Sequence, residues 1–254
     1  MSDRLRGLIL DFDGTIADTE RFGHRVSYNL AFAELGLDWS WDEELYGALL
    51  SVAGGKERLL HYLTQYRPRL RDDAIADGLI EKIYRAKVGH FARMASAIPF
   101  RPGLLRLVQE AHAAGIAVAI ATTGSKAGVE AVLRQHEKLP AMIAVIAGNE
   151  EVGRKKPAPD VYLWALDRLG LAADDCVAVE DSSIGLRAAL AARLMTVVTF
   201  SDYTAKEDFT GACAVLSHLG ERDKPAQCLR GAKPMNGIVD LAFLQTCLST
   251  SRVP

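Results

Sequence analysis

The 254-residue sequence has only four cysteines, Cys176, Cys213, Cys228 and Cys247, far apart and with no Cys-x-x-Cys pair. Such spacing suits neither a disulfide framework nor a zinc site, and a reducing cytoplasm is the expected setting. An excess of one charge is missing as well. Thirty Lys+Arg face 32 Asp+Glu, a net charge of −2 at pH 7, which removes the electrostatic argument for a nucleic-acid partner. No apolar run approaches the roughly 20 residues that span a bilayer. Ile116 to Ala121, for example, has the length of a strand. Met1-Ser2-Asp3-Arg4-Leu5-Arg6 carries no signal-type apolar segment, and there is no internal repeat or low-complexity stretch. What is present, 49% hydrophobic and 24% charged residues, is enough for a sizeable core: one large domain, or a domain with a smaller insert. A monomer with no membrane partner is expected.

Leu5 to Leu10 reads as a short buried strand ending at Asp11-Phe12-Asp13-Gly14-Thr15, where Gly14 permits a sharp change of direction. From Asp18 to about Ala97 the pattern is helical. Ile75, Leu79 and Ile83, with Ile80, Tyr84, Val88 and Phe91, repeat at three- and four-residue steps. Trp41 to Leu50 predicts another helix, and a further one runs through Tyr62 after Ala53-Gly54-Gly55. Beyond the stiff connector Ile98-Pro99-Phe100-Arg101-Pro102-Gly103 the character changes. Strands are expected at 116–121, 141–147, 175–179 and 195–199, with helices at about 103–114, 126–136, 158–169 and 184–192. Such alternation predicts an α/β fold, a doubly wound parallel sheet, whose ligand sits at the carboxyl ends of the strands. The core is assigned to 1–16 plus 98–254, and the helical insert to 17–97. Residues 218–237, rich in Gly, Pro and charge, read as a long surface loop, and 238–248 as a last helix.

Four sets of polar residues fall at or just after these strand ends. In the first, Asp11 and Asp13 share a face of an extended segment. Two anions held that close need a cation or a proton between them, and Mg²⁺, which prefers oxygen ligands, answers that need. A bare Asp-x-Asp also occurs as a turn with capping acids, but the five-residue string after a strand is far more specific. In the second set, Thr122-Thr123-Gly124-Ser125 opens a helix, as an anion cradle or as simple N-capping. In the third, Lys156 is held by Pro157 and Pro159 and can neutralise phosphate oxygens, whereas Lys155 is read as a solvated surface lysine. The fourth is Glu180-Asp181-Ser182-Ser183. Its acids either cap a helix or, beside Asp11 and Asp13 across a parallel sheet, complete an oxygen-ligand shell.

In this order the four sets resemble the motifs of the haloacid dehalogenase superfamily of phosphohydrolases. The resemblance implies a core of that superfamily's fold with an inserted helical cap, hinged near 15–19 and 97–103. It implies that Asp11 is the nucleophile, taking the phosphoryl group as an aspartyl phosphate, and that Asp13 is the general acid and then base. Thr122 and Lys156 would hold phosphoryl oxygens. Asp181, assisted by Glu180, would bind Mg²⁺ with Asp11 and the backbone carbonyl of Asp13.

A narrower resemblance rests on Ala17-Asp18-Thr19-Glu20, Gly23-His24-Arg25, Tyr28-Asn29, Gly54-Gly55-Lys56-Glu57-Arg58 and Glu180-Asp181-Ser182. Over residues 8–216 the chain is similar to the CbbY-type xylulose-1,5-bisphosphate phosphatases, which remove an inhibitory by-product of Rubisco in carbon fixation. That implies a phosphorylated sugar as the partner. Glu20, His24, Gly55, Lys56 and Arg58 would handle the sugar and its distal phosphate. Thr123, Gly124, Ser125 and Lys126 would line the mouth on the core side. Between Lys56 and Arg93 nine basic residues face five acidic ones. Most of these charges are expected on solvated helical faces, but Lys56 and Arg58 follow Gly54-Gly55 at a helix start, where N–H groups also attract anions. His24 and Glu20 also read as ordinary helix residues. The loop reading Thr-Thr-Gly-Ser and the long 218–237 segment depart from the expected pattern. The alternatives are another sugar-phosphate phosphatase, a β-phosphoglucomutase-like mutase or, with no catalytic carboxylate missing, the disfavoured non-catalytic binding module.

Overall fold

The structure, a computed structural model, describes residues 5–52 and 54–250. Met1 to Arg4 of the opening segment and Ala53 of the Ala53-Gly54-Gly55 break lie outside them. The chain divides into two compact units, one holding the residues up to Asp18 and from Pro99 onward, the other Thr19–Ile98.

Among the described residues the first unit is built on seven strands: β1 (Gly7–Leu10), β2 (Ala117–Ala121), β3 (Val145–Ala147), β4 (Cys176–Glu180), β5 (Met195–Thr199), β6 (Ala214–Leu216) and β7 (Cys228–Gly231). They lie in the order β3-β2-β1-β4-β5-β6-β7, parallel except for the antiparallel β6–β7 pair. In β1 and β4 every residue is buried, as expected of central strands covered on both faces. The order turns back at β1, whose neighbours are β2 on one side and β4 on the other. This is the switch point where open α/β sheets collect ligands.

The second unit is helical: α1 (Arg25–Glu34), preceded by a π-type segment Glu20–His24, then α2 (Glu43–Leu49), α3 (Gly55–Tyr66), α4 (Arg71–Ala76) and α5 (Leu79–Met94). Its centre is aromatic. The Trp41 ring lies 4.6 Å from Tyr28, 5.0 Å from Phe32 and 5.2 Å from Tyr62, and Tyr28, Phe32, Trp41 and Tyr46 are fully buried. The core helices are α6 (Leu104–Ala113), α7 (Lys126–Leu133), α8 (Leu139–Met142), α9 (Asp160–Leu169), α10 (Ser183–Ala191) and α11 (Leu241–Thr250). Ile9, Ala119 and Ala178 stand in register across β1, β2 and β4. They share one apolar cluster with Val161, Tyr162 and Ala165 of α9 and Ala188 and Ala189 of α10.

Three local expectations fail. Residues 141–147 are not one strand, because α8 occupies 139–142 and only Val145–Ala147 pairs with β2. Pro140, which favours a first helical turn, explains the shift. The apolar pattern from Ile75 to Phe91 is broken at Gly78, which adopts φ +63° and separates α4 from α5. Ile83 and Phe91 are buried while Ile75 and Val88 are exposed. The 218–237 segment contains β7, an edge strand whose last three residues are exposed. It therefore lacks the alternation by which a half-buried strand is read.

Candidate active site

The parallel register gathers the motif residues of the first unit. Leu10 aligns with Ile120 and with Val179, so Asp11, Thr122 and Glu180 emerge together at the ends of three adjacent strands. Backbone bonds carry the ladder one step further: the Asp11 N–H donates to Val179 O and the Thr122 N–H to Ala147 O, both at 2.9 Å. Gly14, at φ +87°, turns the chain immediately after Asp13. A Cβ there would stand 2.1 Å from Asp181 Oδ2, so glycine is required both by the turn and by the carboxylate.

Lys156 is the buried cation of this cluster. Its Nζ donates to Asp11 Oδ1 and Glu180 Oε1, each at 2.6 Å, and to Ala121 O at 2.9 Å. Lys155 beside it is exposed. Ligand-capable oxygens of Asp11, Glu180 and Asp181 lie within 4.8 Å of one another, all three residues being buried. Asp13 is half-buried, and the Thr122 hydroxyl points at its Oδ2 from 3.5 Å while accepting from the Gly124 N–H at 2.9 Å. Thr123, Ser125 and Lys126 are exposed beside half-buried Gly124. Ser125 caps α7 through the Gly128 N–H, and Ser182 caps α10 through the Gly185 N–H.

One ammonium does not neutralise this many acids. Burial raises the Asp11 pKa, Glu180 and Asp13 add to the rise, and Lys156 opposes it, leaving Asp11 at about 7. Asp181 is raised well above its ordinary value by burial, then by Asp11 and Glu180, with Arg101 and the Ser201 hydroxyl partly offsetting. Burial pulls Lys156 down, but Asp11 and Glu180 together outweigh it and raise the ammonium above its usual value. The donor set therefore suits a hard divalent cation. Three buried carboxylates are crowded together, and their excess negative charge otherwise has to be relieved by protons.

In the second unit, Glu20, His24, Gly55 and Arg58 are each tied to buried aromatic or charged neighbours. Arg58 is buried, and its Nη1 donates to the Tyr46 hydroxyl at 2.9 Å. That hydroxyl donates in turn to Glu20 Oε2, which lies 4.0 Å from the guanidinium. Gly55 opens α3, and its carbonyl accepts from the Tyr28 hydroxyl at 2.9 Å. His24 stacks on Phe91 at 4.4 Å, and its Nδ1 lies 2.8 Å from Lys87 Nζ. Lys56 differs: its side chain is 45% exposed and paired with Glu81 at 2.7 Å.

Tyr46, Lys87, Arg101, Tyr162 and Ser201 belong to these clusters, and the motifs do not point to them. Lys87 reads in the sequence as one of nine basic residues. Its signal is its place between Ile83 and Phe91, at four-residue steps along the buried face of α5. For Tyr46 and Tyr162 no local pattern separates a hydrogen-bonded phenol from ordinary core.

Known proteins resemble this chain in sequence and in fold. The family model of haloacid dehalogenase-like hydrolases matches residues 5–193. The plasmid CbbY protein of Cupriavidus necator is 47% identical over 225 residues, covering 87% of this chain and 88% of that protein. CbbY of Rhodobacter sphaeroides, solved with phosphate, superposes with a TM-score of 0.74 at 39% identity, covering 84% of this chain and 94% of that one. A substituted form of the same protein, solved with xylulose-1,5-bisphosphate, gives 0.75 at 38% identity, covering 86% and 96%. The chain belongs to the haloacid dehalogenase-like hydrolases and is a CbbY-like phosphatase of that family.

Proposed function

We propose that the protein removes a phosphate from a phosphorylated sugar, xylulose-1,5-bisphosphate foremost, through an aspartyl phosphate on Asp11. The observation that carries this reading is the buried Asp11–Lys156–Glu180 chain, with Asp181 beside it, at the switch point of the sheet. Asp11 and Asp181 with the backbone carbonyl of Asp13, assisted by Glu180, would hold Mg²⁺. That ion supplies charge neutralisation between a carboxylate nucleophile and an anionic phosphoryl group.

The division of labour follows from the side chains. An Asp11 oxygen attacks phosphorus as the ester oxygen departs, and Asp13 gives that oxygen its proton. Asp13 then takes a proton from the water that cleaves the acyl phosphate, returning Asp11 to a carboxylate. Splitting one displacement into two lowers each barrier, and phosphoryl transfer otherwise asks mainly for positioning and neutralised charge. Thr122 and Lys156 supply hydrogen bonds to phosphoryl oxygens, with Thr123, Gly124, Ser125 and Lys126 lining the approach. Glu20, His24, Gly55, Lys56 and Arg58 are the proposed sugar- and distal-phosphate-binding set. Arg58, buried and bonded to a phenol, is a better-held anion receptor than exposed Lys56. The solved complex of the Rhodobacter protein with xylulose-1,5-bisphosphate supports this substrate.

A panel of phosphorylated sugars assayed with Mg²⁺ tests the reading. Phosphate release from five-carbon bisphosphates should exceed that from hexose and monophosphate esters by tenfold or more in kcat/KM. Preference for a monophosphate, or isomerisation of glucose 1-phosphate without phosphate release, would contradict it.

A further inference from the structure

Tyr162 lies in the apolar cluster between β2, β4 and α9, fully buried, yet its hydroxyl does not face hydrocarbon. It donates to Glu180 Oε1, the oxygen that also accepts from Lys156, and the Lys156 Nζ stands 5.0 Å from the Tyr162 ring centre. As a phenol facing a carboxylate, which can only accept, it serves as the donor. The other Glu180 oxygen accepts from the Asp181 N–H at 3.2 Å. Both oxygens of a carboxylate with no exposed surface are thus engaged by protein donors.

We propose that Tyr162 is a positioning residue of the phosphatase centre, holding Glu180 in place while Lys156 changes partners. Lys156 has three protons and three acceptors, Asp11, Glu180 and the Ala121 carbonyl. To hold a phosphoryl oxygen it has to give one of them up. The phenol leaves a donor on Glu180 through that exchange, so the carboxylate neither swings toward the ammonium nor stands buried without compensation. The inference rests on the reading of Glu180 as part of the cation-binding set.

Calorimetric titration with Mg²⁺ decides it, comparing wild type, Tyr162→Phe, and protein with 3-fluorotyrosine placed at position 162. A phenylalanine ring fills the same space, so circular dichroism should be unchanged. The Tyr162→Phe dissociation constant should rise five- to thirtyfold and kcat should fall by a similar factor. The fluorinated phenol, which keeps its donor, should stay within about threefold of wild type in both. Unchanged Mg²⁺ affinity in Tyr162→Phe, with only a lowered Tm, would reduce the phenol to a packing role and overturn the proposal. Absence of Mg²⁺ binding by wild type would instead overturn the cation assignment, and this inference with it.

Discussion

A lysine clamped between two buried carboxylates is a strong local constraint, because removing it leaves both anions uncompensated. Lys156→Met should therefore destabilise the protein by about 3–5 kcal/mol, measurable by urea denaturation, and abolish turnover. Asp11→Asn removes one charge while keeping shape and a hydrogen-bonding oxygen, so it should abolish turnover while the Tm stays near or above that of wild type. The raised Asp11 pKa, about 7, sets a pH dependence. An acid that holds its proton more tightly folded than unfolded contributes stability at low pH and loses it as pH rises toward the folded value. The metal-free protein should accordingly lose stability between about pH 4 and pH 7. If Mg²⁺ binds here it has to displace the Asp11 proton and any that Asp181 holds, so its affinity should weaken by about tenfold or more for each pH unit below 7. Calorimetry from pH 5.5 to 8 checks this, and a flat dissociation constant would contradict it.

Among the elements, α10 presents the tightest fit to the site. A Cβ on Gly185 would lie 2.0 Å from Glu180 Oε2, so the helix approaches the carboxylate closely only because that residue lacks a side chain. Gly185→Ala should cost about 1–3 kcal/mol and weaken Mg²⁺ binding; denaturation and calorimetry on one preparation measure both. The same element shows which parts of the site are legible in a sequence. Ser182 and Asp181 announce a strand end and a helix start by residue type alone, and so do Asp11 with Gly14 and Lys156 with its prolines. Each occupies a place where backbone geometry restricts the choice. The Tyr162 hydroxyl, the Arg58–Tyr46–Glu20 bonds and the Lys87–His24 pair arise from packing between segments distant in sequence, which leaves no local pattern. β7 was hidden for a different reason. A short edge strand exposed at three of its four residues has no apolar face to reveal.

At the scale of the whole molecule, a nearly neutral chain buries a few of its charges in two places. The first unit buries Asp11, Glu180 and Asp181 around Lys156, and the second buries Arg58 and Lys87. The buried excess is anionic in the first, suited to a metal cation, and cationic in the second, as an anionic substrate would require. If Arg58 receives the distal phosphate, Arg58→Met should raise KM for a bisphosphate ten- to a hundredfold, about 1.5–3 kcal/mol for a charge-assisted hydrogen bond. KM for a monophosphate ester should change far less, and equal losses on both substrates would remove Arg58 from that role. The central claim, covalent phosphorylation of Asp11, is tested most directly by stereochemistry. A phosphorothioate ester chiral by oxygen isotopes, hydrolysed in isotopically labelled water, passes through two inversions if Asp11 is esterified in between. The account predicts thiophosphate with overall retention at phosphorus, and net inversion would contradict it.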